Sequence, residues 1–190
     1  MRDKKSLRKE LLARRKEFAA EHPEAGGELA SRVLEWLEGH PEISSVGAYL
    51  PIRSEPDLTA SLTAWRNGKS GRTLSLPVIL EGQMDYYEWI PGMQMDEAGF
   101  HLLVPHEKKL VHPDFVLAPC VGFSEEGCRI GFGAGWFDRT LPRLKPAPVT
   151  MAIAYEISNA TGEFEPEPHD VLLQWIATER GIRLSRKRAA

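Results

Sequence analysis

The stretch RIGFGAGWFDR, residues 129–139, limits this chain more than any other. Glycines stand at every second position, Gly131, Gly133 and Gly135, with Arg129 before them and Asp138 after. Ahead of the stretch, DFVLAPCVGF (114–123) reads as a buried strand running into a loop; behind it, residues 138–144 read as a short helix stopped near Pro146. A glycine turn between strand and helix brings backbone N–H groups close to a ligand, at the positive end of the helix dipole. That is a site for an anion, most often a phosphate. Arg129 can fork onto phosphate oxygens. An aspartate beside a polyphosphate most often holds Mg²⁺, which nominates Asp138, with Asp170 as a candidate second carboxylate.

Two familiar phosphate turns are excluded by spacing. A dinucleotide turn needs Gly-x-Gly-x-x-Gly and an acid about 20 residues on. Glu156 could supply the acid, but the third small position falls on Trp136 counted from Gly131, or on Asp138 counted from Gly133. Neither allows close packing of helix on strand. A Walker loop fails because no Gly-Lys-Ser/Thr is present. Trp136 and Phe137, directly after the glycines, are placed to contact a flat ring.

The remaining pattern is that of one α/β domain. Residues 2–20 predict a helix with Leu7, Leu11 and Phe18 on one stripe, at about 100° per residue. Lys4, Arg8 and Arg15 lie along one edge of it, and composition alone makes this a solvated basic face. A second amphipathic helix follows over 24–39, with Leu29, Val33, Trp36 and Leu37 inward. ISSVGAYL (43–50) predicts a strand, and Asp57 or Ser54 caps a helix over 58–66. Glu55 sits in the loop past that strand. Ligands collect at the carboxyl ends of strands in such sheets, although position alone makes Glu55 a solvated acid. Strands follow over 73–80 and 84–90, joined by the turn at Glu81-Gly82. Residues 91–113 predict a long ordered loop, and His101, His106 and His112 in it match no metal spacing. Later strands fall at 148–156 and 171–179, and GIRLSRKRAA (181–190) predicts a frayed basic tail. Strands alternating with helices imply a mostly parallel twisted sheet.

The net charge of −3 argues against nucleic acid as a partner. Cys120 and Cys128 are too few for a disulfide framework and are expected reduced. No apolar run approaches the roughly 18 residues of a membrane span, and no secretion signal is expected.

Taken in order, KKSLRKELLARRKEF, VGAYLPIRSEPDLTA, LPVI, GFHLLVP, PDFVLAPCVGFSEEGCRIGFGAGWFDR and HDVLLQWIATE resemble the 5-formyltetrahydrofolate cyclo-ligase family, also called 5,10-methenyltetrahydrofolate synthetase. The resemblance covers nearly the whole chain, and the glycine stretch is its most specific part. It implies a single doubly wound α/β domain over 1–190, with a mostly parallel twisted sheet and helices on both faces, similar to sugar-phosphate isomerases and CoA transferases. It implies a cytoplasmic enzyme, monomeric or weakly dimeric, that uses ATP and Mg²⁺ on 5-formyltetrahydrofolate. Through the resemblance, Lys4, Arg8, Arg129, Gly131, Phe132, Gly133, Ala134, Gly135, Trp136 and Phe137 bind ATP. Arg129 and Asp138 are catalytic, Asp138 and Asp170 hold the metal, and Leu50, Glu55 and Trp136 line the folate pocket. That reading withdraws Lys4 and Arg8, but not Arg15, from the solvated face. Two departures stand out. The family usually has Tyr-Tyr-Asp where this chain has Trp136-Phe137-Asp138, and Glu-Pro where it has Val104-Pro105. The lost hydroxyls motivate an alternative, a folate- or nucleotide-binding module of the same fold without turnover.

Overall fold

In the computed structural model, residues 1–99 and 102–186 are described. The chain runs α1 (Lys4–Glu21), α2 (Ala25–Glu38), β1 (Ser45–Gly47), α3 (Thr59–Gly68), β2 (Thr73–Leu80), β3 (Gln83–Glu88), β4 (Met95–Ala98), β5 (Leu102–Pro105), β6 (Leu110–Val111), β7 (Phe115–Pro119), β8 (Gly122–Phe123), β9 (Arg129–Ile130), α4 (Trp136–Thr140), β10 (Val149–Ile153), β11 (Trp175–Thr178) and β12 (Gly181–Leu184). The main sheet has the order β12-β11-β10-β7-β1-β2-β3-β6. Its centre, β11-β10-β7-β1-β2, is parallel. Both edges are antiparallel, β12 on β11, and β3 then β6 beyond β2.

Side-chain alternation along the central strands builds two cores. Phe115 and Leu117 of β7 and Met151 and Ile153 of β10 face α2 and α3, meeting Leu29, Val33 and Leu37 and then Leu62 and Trp65. Val116, Ala118 and Ala152 face the other way, onto Leu141, Leu144 and Leu173 near α4. Helices therefore lie on both faces, as the doubly wound expectation requires.

α1 does neither. Asp3 caps it by accepting a hydrogen bond from the Ser6 N–H at 2.9 Å. Its fully buried Leu7 and Leu11 pack on Val121 and Ile130, together with Phe164. Each such leucine is worth about 1.5–3 kcal/mol of burial. This holds α1 against the β8–β9 ribbon, just past the carboxyl end of β7.

Three expectations are corrected. Residues 91–113 are not a plain loop: β4 and β5 pair as an antiparallel hairpin, and β6 joins the main sheet. His101 lies outside the described residues. Residues 181–184 are not frayed, because β12 pairs in register with β11, from Trp175 opposite Leu184 to Thr178 opposite Gly181. The helix after the glycines starts at Trp136, not Asp138, and gives way to a 3-10 turn at Leu141–Arg143. Among the described residues, no helix is long and apolar enough to cross a membrane.

Candidate functional site

The glycine turn lies between two arginines from distant parts of the chain. From α1, Arg8 Nε donates to the Gly131 carbonyl at 2.6 Å. A Cβ on Gly133 would stand 3.5 Å from the Arg8 guanidinium, and one on Gly131 would stand 3.3 Å from Arg129 Nη1. Gly133 also has φ 101°, a conformation that L side chains rarely adopt. Removing side chains here lets both guanidinium groups lie against the backbone of the turn.

Arg129, at the start of β9, is 8% exposed. Its guanidinium lies over the Phe137 ring at 5.0 Å. Nη2 comes within 2.7 Å of Asp138 Oδ2, but without an aligned hydrogen bond, and Nε is buried with no partner. A buried donor without an acceptor calls for an explanation, and an anion bound at the turn would supply one.

Lys4, one turn before Arg8, makes ion pairs to Asp170 at 2.8 Å and Glu167 at 2.9 Å. Burial lowers the Lys4 pKa, but the hydrogen bonds to the two carboxylates outweigh it and raise it. Burial likewise raises that of Asp170, and the Lys4 bond and the Glu167 N–H overturn this to leave it low. Asp138 Oδ1 accepts from the Val171 N–H at 3.1 Å, so the two aspartates meet through adjacent residues of one loop. Among the described residues no group of three or more His, Cys, Asp and Glu could hold a metal by itself. Two carboxylates, each shared with a cation, fit a Mg²⁺ that brings phosphate and water ligands with it.

On the folate side expected from the sequence, Glu55 is buried, not solvated. Oε2 accepts from the Ile52 N–H at 3.0 Å, and Oε1 lies 3.7 Å from Arg15 Nη1. Burial pushes its carboxyl pKa up, against the Ile52 N–H, Arg15 and Arg53. The turn before it is forced, with Arg53 and Ser54 at φ 49° and 63°. Leu50 packs half-buried on the core that holds Tyr49 and Trp89, with Met93 and Met95 beside it. The two loops touch: the Arg53 guanidinium sits over the Phe132 ring at 5.1 Å.

The structure thus joins Lys4, Arg8, Arg129, Asp138, Asp170 and the turn from Gly131 to Phe137, and links Glu55 to them through Arg53. It does not bring Trp136 to Leu50 or Glu55. Trp136 lines a cavity of about 320 Å³ with Gly82, Gln83, Met84, Arg139, Thr140 and Arg143. The reason is helical phase: residues 136, 139 and 140 share the face of α4 toward the β2–β3 turn, where Thr140 Oγ1 donates to the Met84 carbonyl at 3.0 Å. Arg15, expected in solvent, is 0% exposed. Its spacing from Lys4 and Arg8 put it on the same edge of the helix, which was the signal that could have found it.

A model of the 5-formyltetrahydrofolate cyclo-ligase family matches residues 1–179. The 5-formyltetrahydrofolate cyclo-ligase of Mycolicibacterium smegmatis is 31% identical over 196 residues, covering 95% of this chain and 96% of that one. The Mycoplasma pneumoniae protein of the same name is 25% identical over 181 residues, covering 93% and 99%. Among solved structures, the NMR structure of Aquifex aeolicus 5,10-methenyltetrahydrofolate synthetase is similar at TM-score 0.77 and 27% identity, covering 98% of this chain and 95% of that one.

Proposed function

The chain belongs to the 5-formyltetrahydrofolate cyclo-ligase family, and on that premise we propose that it converts 5-formyltetrahydrofolate and ATP to 5,10-methenyltetrahydrofolate, ADP and phosphate. One observation supports this reading most. Arg8 of α1 reaches the glycine turn itself, so the N-terminal helix and residues 131–135 form a single cradle. The formyl oxygen attacks the γ-phosphorus and ADP leaves. The neighbouring aniline nitrogen then attacks the formyl carbon, closes the five-membered ring and expels phosphate, which leaves with the nitrogen's proton as hydrogen phosphate. Phosphoryl transfer of this kind asks the protein for positioning and charge neutralisation and needs no covalent bond to the enzyme.

In this reading Arg8 and Arg129 take the phosphate oxygens, and the buried Nε of Arg129 finds its acceptor there. Lys4 turns from Asp170 and Glu167 toward the nucleotide when it binds. Asp138 and Asp170 would hold Mg²⁺, which would supply charge neutralisation at the phosphates. Glu55 receives the amino edge of the pterin, and its burial strengthens hydrogen bonds made there. Leu50 lines the same pocket.

The test is to mix the protein with MgATP and 5-formyltetrahydrofolate and follow the methenyl chromophore. An ATP-dependent signal is expected. Folate binding without chromophore or phosphate release, at saturating substrates, would replace this reading with that of a binding module.

A further inference from the structure

We infer that Arg15 is a positioning residue that holds the Glu55 loop in register with the phosphate cradle. The inference rests on the folate role proposed for Glu55. Arg15 is fully buried on a helix whose other basic residues stay at least partly exposed. Nε donates to the Arg53 carbonyl at 3.1 Å and Nη1 to the Cys120 carbonyl at 3.2 Å. Nη1 also lies 3.7 Å from Glu55 Oε1, while Nη2 is buried without a partner. One guanidinium therefore ties α1 to the strained turn at Arg53-Ser54 and to the segment just past β7. Burying a charge this deeply gains nothing over a packed apolar side chain unless its direction matters. The same helix carries Arg8 on the glycine turn, so α1 touches both the phosphate cradle and the Glu55 loop.

The groups around Glu55 leave Arg15 as its chief counter-charge. Tyr49, at the end of β1, donates to the Pro56 carbonyl, and its pKa is pushed well up by burial. Cys120, past β7, is pushed by burial to about 12. Tyr155, past β10, is also raised by burial, so all three are neutral in the working range. Arg53 and Asp57 lie on the Glu55 loop itself. Burial pushes the Glu55 carboxyl up, and the Ile52 N–H, Arg15 and Arg53 oppose this. Removing Arg15, an opposite charge, should therefore move the Glu55 titration to higher pH.

The experiment measures equilibrium binding of 5-formyltetrahydrofolate and of ATP by calorimetry from pH 5 to 9, for wild type, Arg15→Met, Arg15→Lys, Glu55→Gln and Arg15→Met/Glu55→Gln. Expected for Arg15→Met is a roughly tenfold weaker folate Kd at neutral pH with the ATP Kd within about twofold. The acid limb of folate binding should move to higher pH, and Arg15→Lys should move it back. Folate and ATP weakening in parallel, or an unmoved limb, overturns the inference. Should Arg15→Met fail to fold, the double variant removes both charges together. Folate binding that is independent of pH and equal to that of Glu55→Gln alone supports the inference, and a further loss refutes it. Wild type that binds folate but gives no ATP-dependent methenyl product sinks the enzymatic reading and leaves the Arg15 inference to these Kd values. Wild type that binds no folate removes both.

Discussion

Gly127 offers the sharpest test of how the site is held together. It turns the β8–β9 hairpin with φ 86°, two residues before Arg129. Its carbonyl accepts from the Leu173 N–H at 2.9 Å, joining the strand that carries Arg129 to the loop that carries Asp170. A Cβ there would meet the Leu173 carbonyl oxygen at 2.2 Å and Ser185 Cβ at 3.0 Å. The first is backbone and cannot rotate away. The left-handed conformation costs an alanine about 1–2 kcal/mol. Forcing apart a packed contact adds about 1–3 kcal/mol. Gly127→Ala should therefore destabilise the protein by roughly 2–5 kcal/mol, a large share of the 5–15 kcal/mol typical of a domain. Gly71→Ala is the control, with φ 88° and nothing within 4 Å of its Cβ, so it bears the conformational cost alone. Urea unfolding of the two variants beside wild type isolates the contact. If Gly127→Ala lost no more stability than Gly71→Ala, the stitch between Gly127 and Leu173 would not be holding the two loops as described.

Three further outcomes follow from the same geometry. Arg8→Ala removes a charged donor to Gly131, and at about 1.5–3 kcal/mol it should raise the KM for ATP at least tenfold with little change in the folate KM; steady-state kinetics in each substrate checks this. Asp138→Asn weakens both the Arg129 ion pair and the proposed metal site, so activity should demand more Mg²⁺, and an unchanged Mg²⁺ titration would remove Asp138 from that role. The Lys4–Asp170 pair sets an acid limit: Asp170 has its pKa depressed in the folded state, so its contribution is present above the unfolded carboxylate value and disappears as pH falls through the folded one. Replacing Asp170 by Asn should flatten the loss of stability below about pH 4, as read by melting temperature against pH.

The periodic parts of this chain were readable in advance. TLSLPVIL was predicted as a strand over 73–80, and β2 occupies that span. The stripe of α2 and its end near Gly39 were equally plain. The β4–β5 hairpin was hidden because each strand has four residues and, among the described residues, pairs with no strand but the other, so no alternation rises above the glycines and prolines around it. β12 was hidden for a different reason: GIRLSRK has the composition of a solvated tail, and only pairing with β11 makes it a strand. At the site, the spacing of Gly131, Gly133 and Gly135 was enough to raise the expectation of an anion turn. Asp170 was only a candidate second carboxylate, and Lys4 and Arg8 entered only through the family resemblance, since all three lie far away in sequence. The burial of Arg15 was legible only as helical phase, since it follows the buried Leu7 and Leu11 at four-residue spacing and the exposed arginine before it does not. Its acceptors, the carbonyls of Arg53 and Cys120, lie 38 and 105 positions away and were not.

The pair Trp136-Phe137, in place of the tyrosines usual in the family, takes on a different meaning once the arginines are seen. Each ring carries a guanidinium on its face, Arg139 over Trp136 at 4.5 Å and Arg129 over Phe137 at 5.0 Å. That contact uses the π face, needs no hydroxyl, and is strongest for tryptophan. Phe137 also packs into the core beneath the sheet with Leu141 and Leu144, where a phenolic hydroxyl would require a partner. The loss of the two hydroxyls therefore leaves the placement of Arg129 intact. What separates a cyclo-ligase from a silent binding module is then whether that arginine and Arg8 close on the same phosphate, and both already lie against the turn that would hold it.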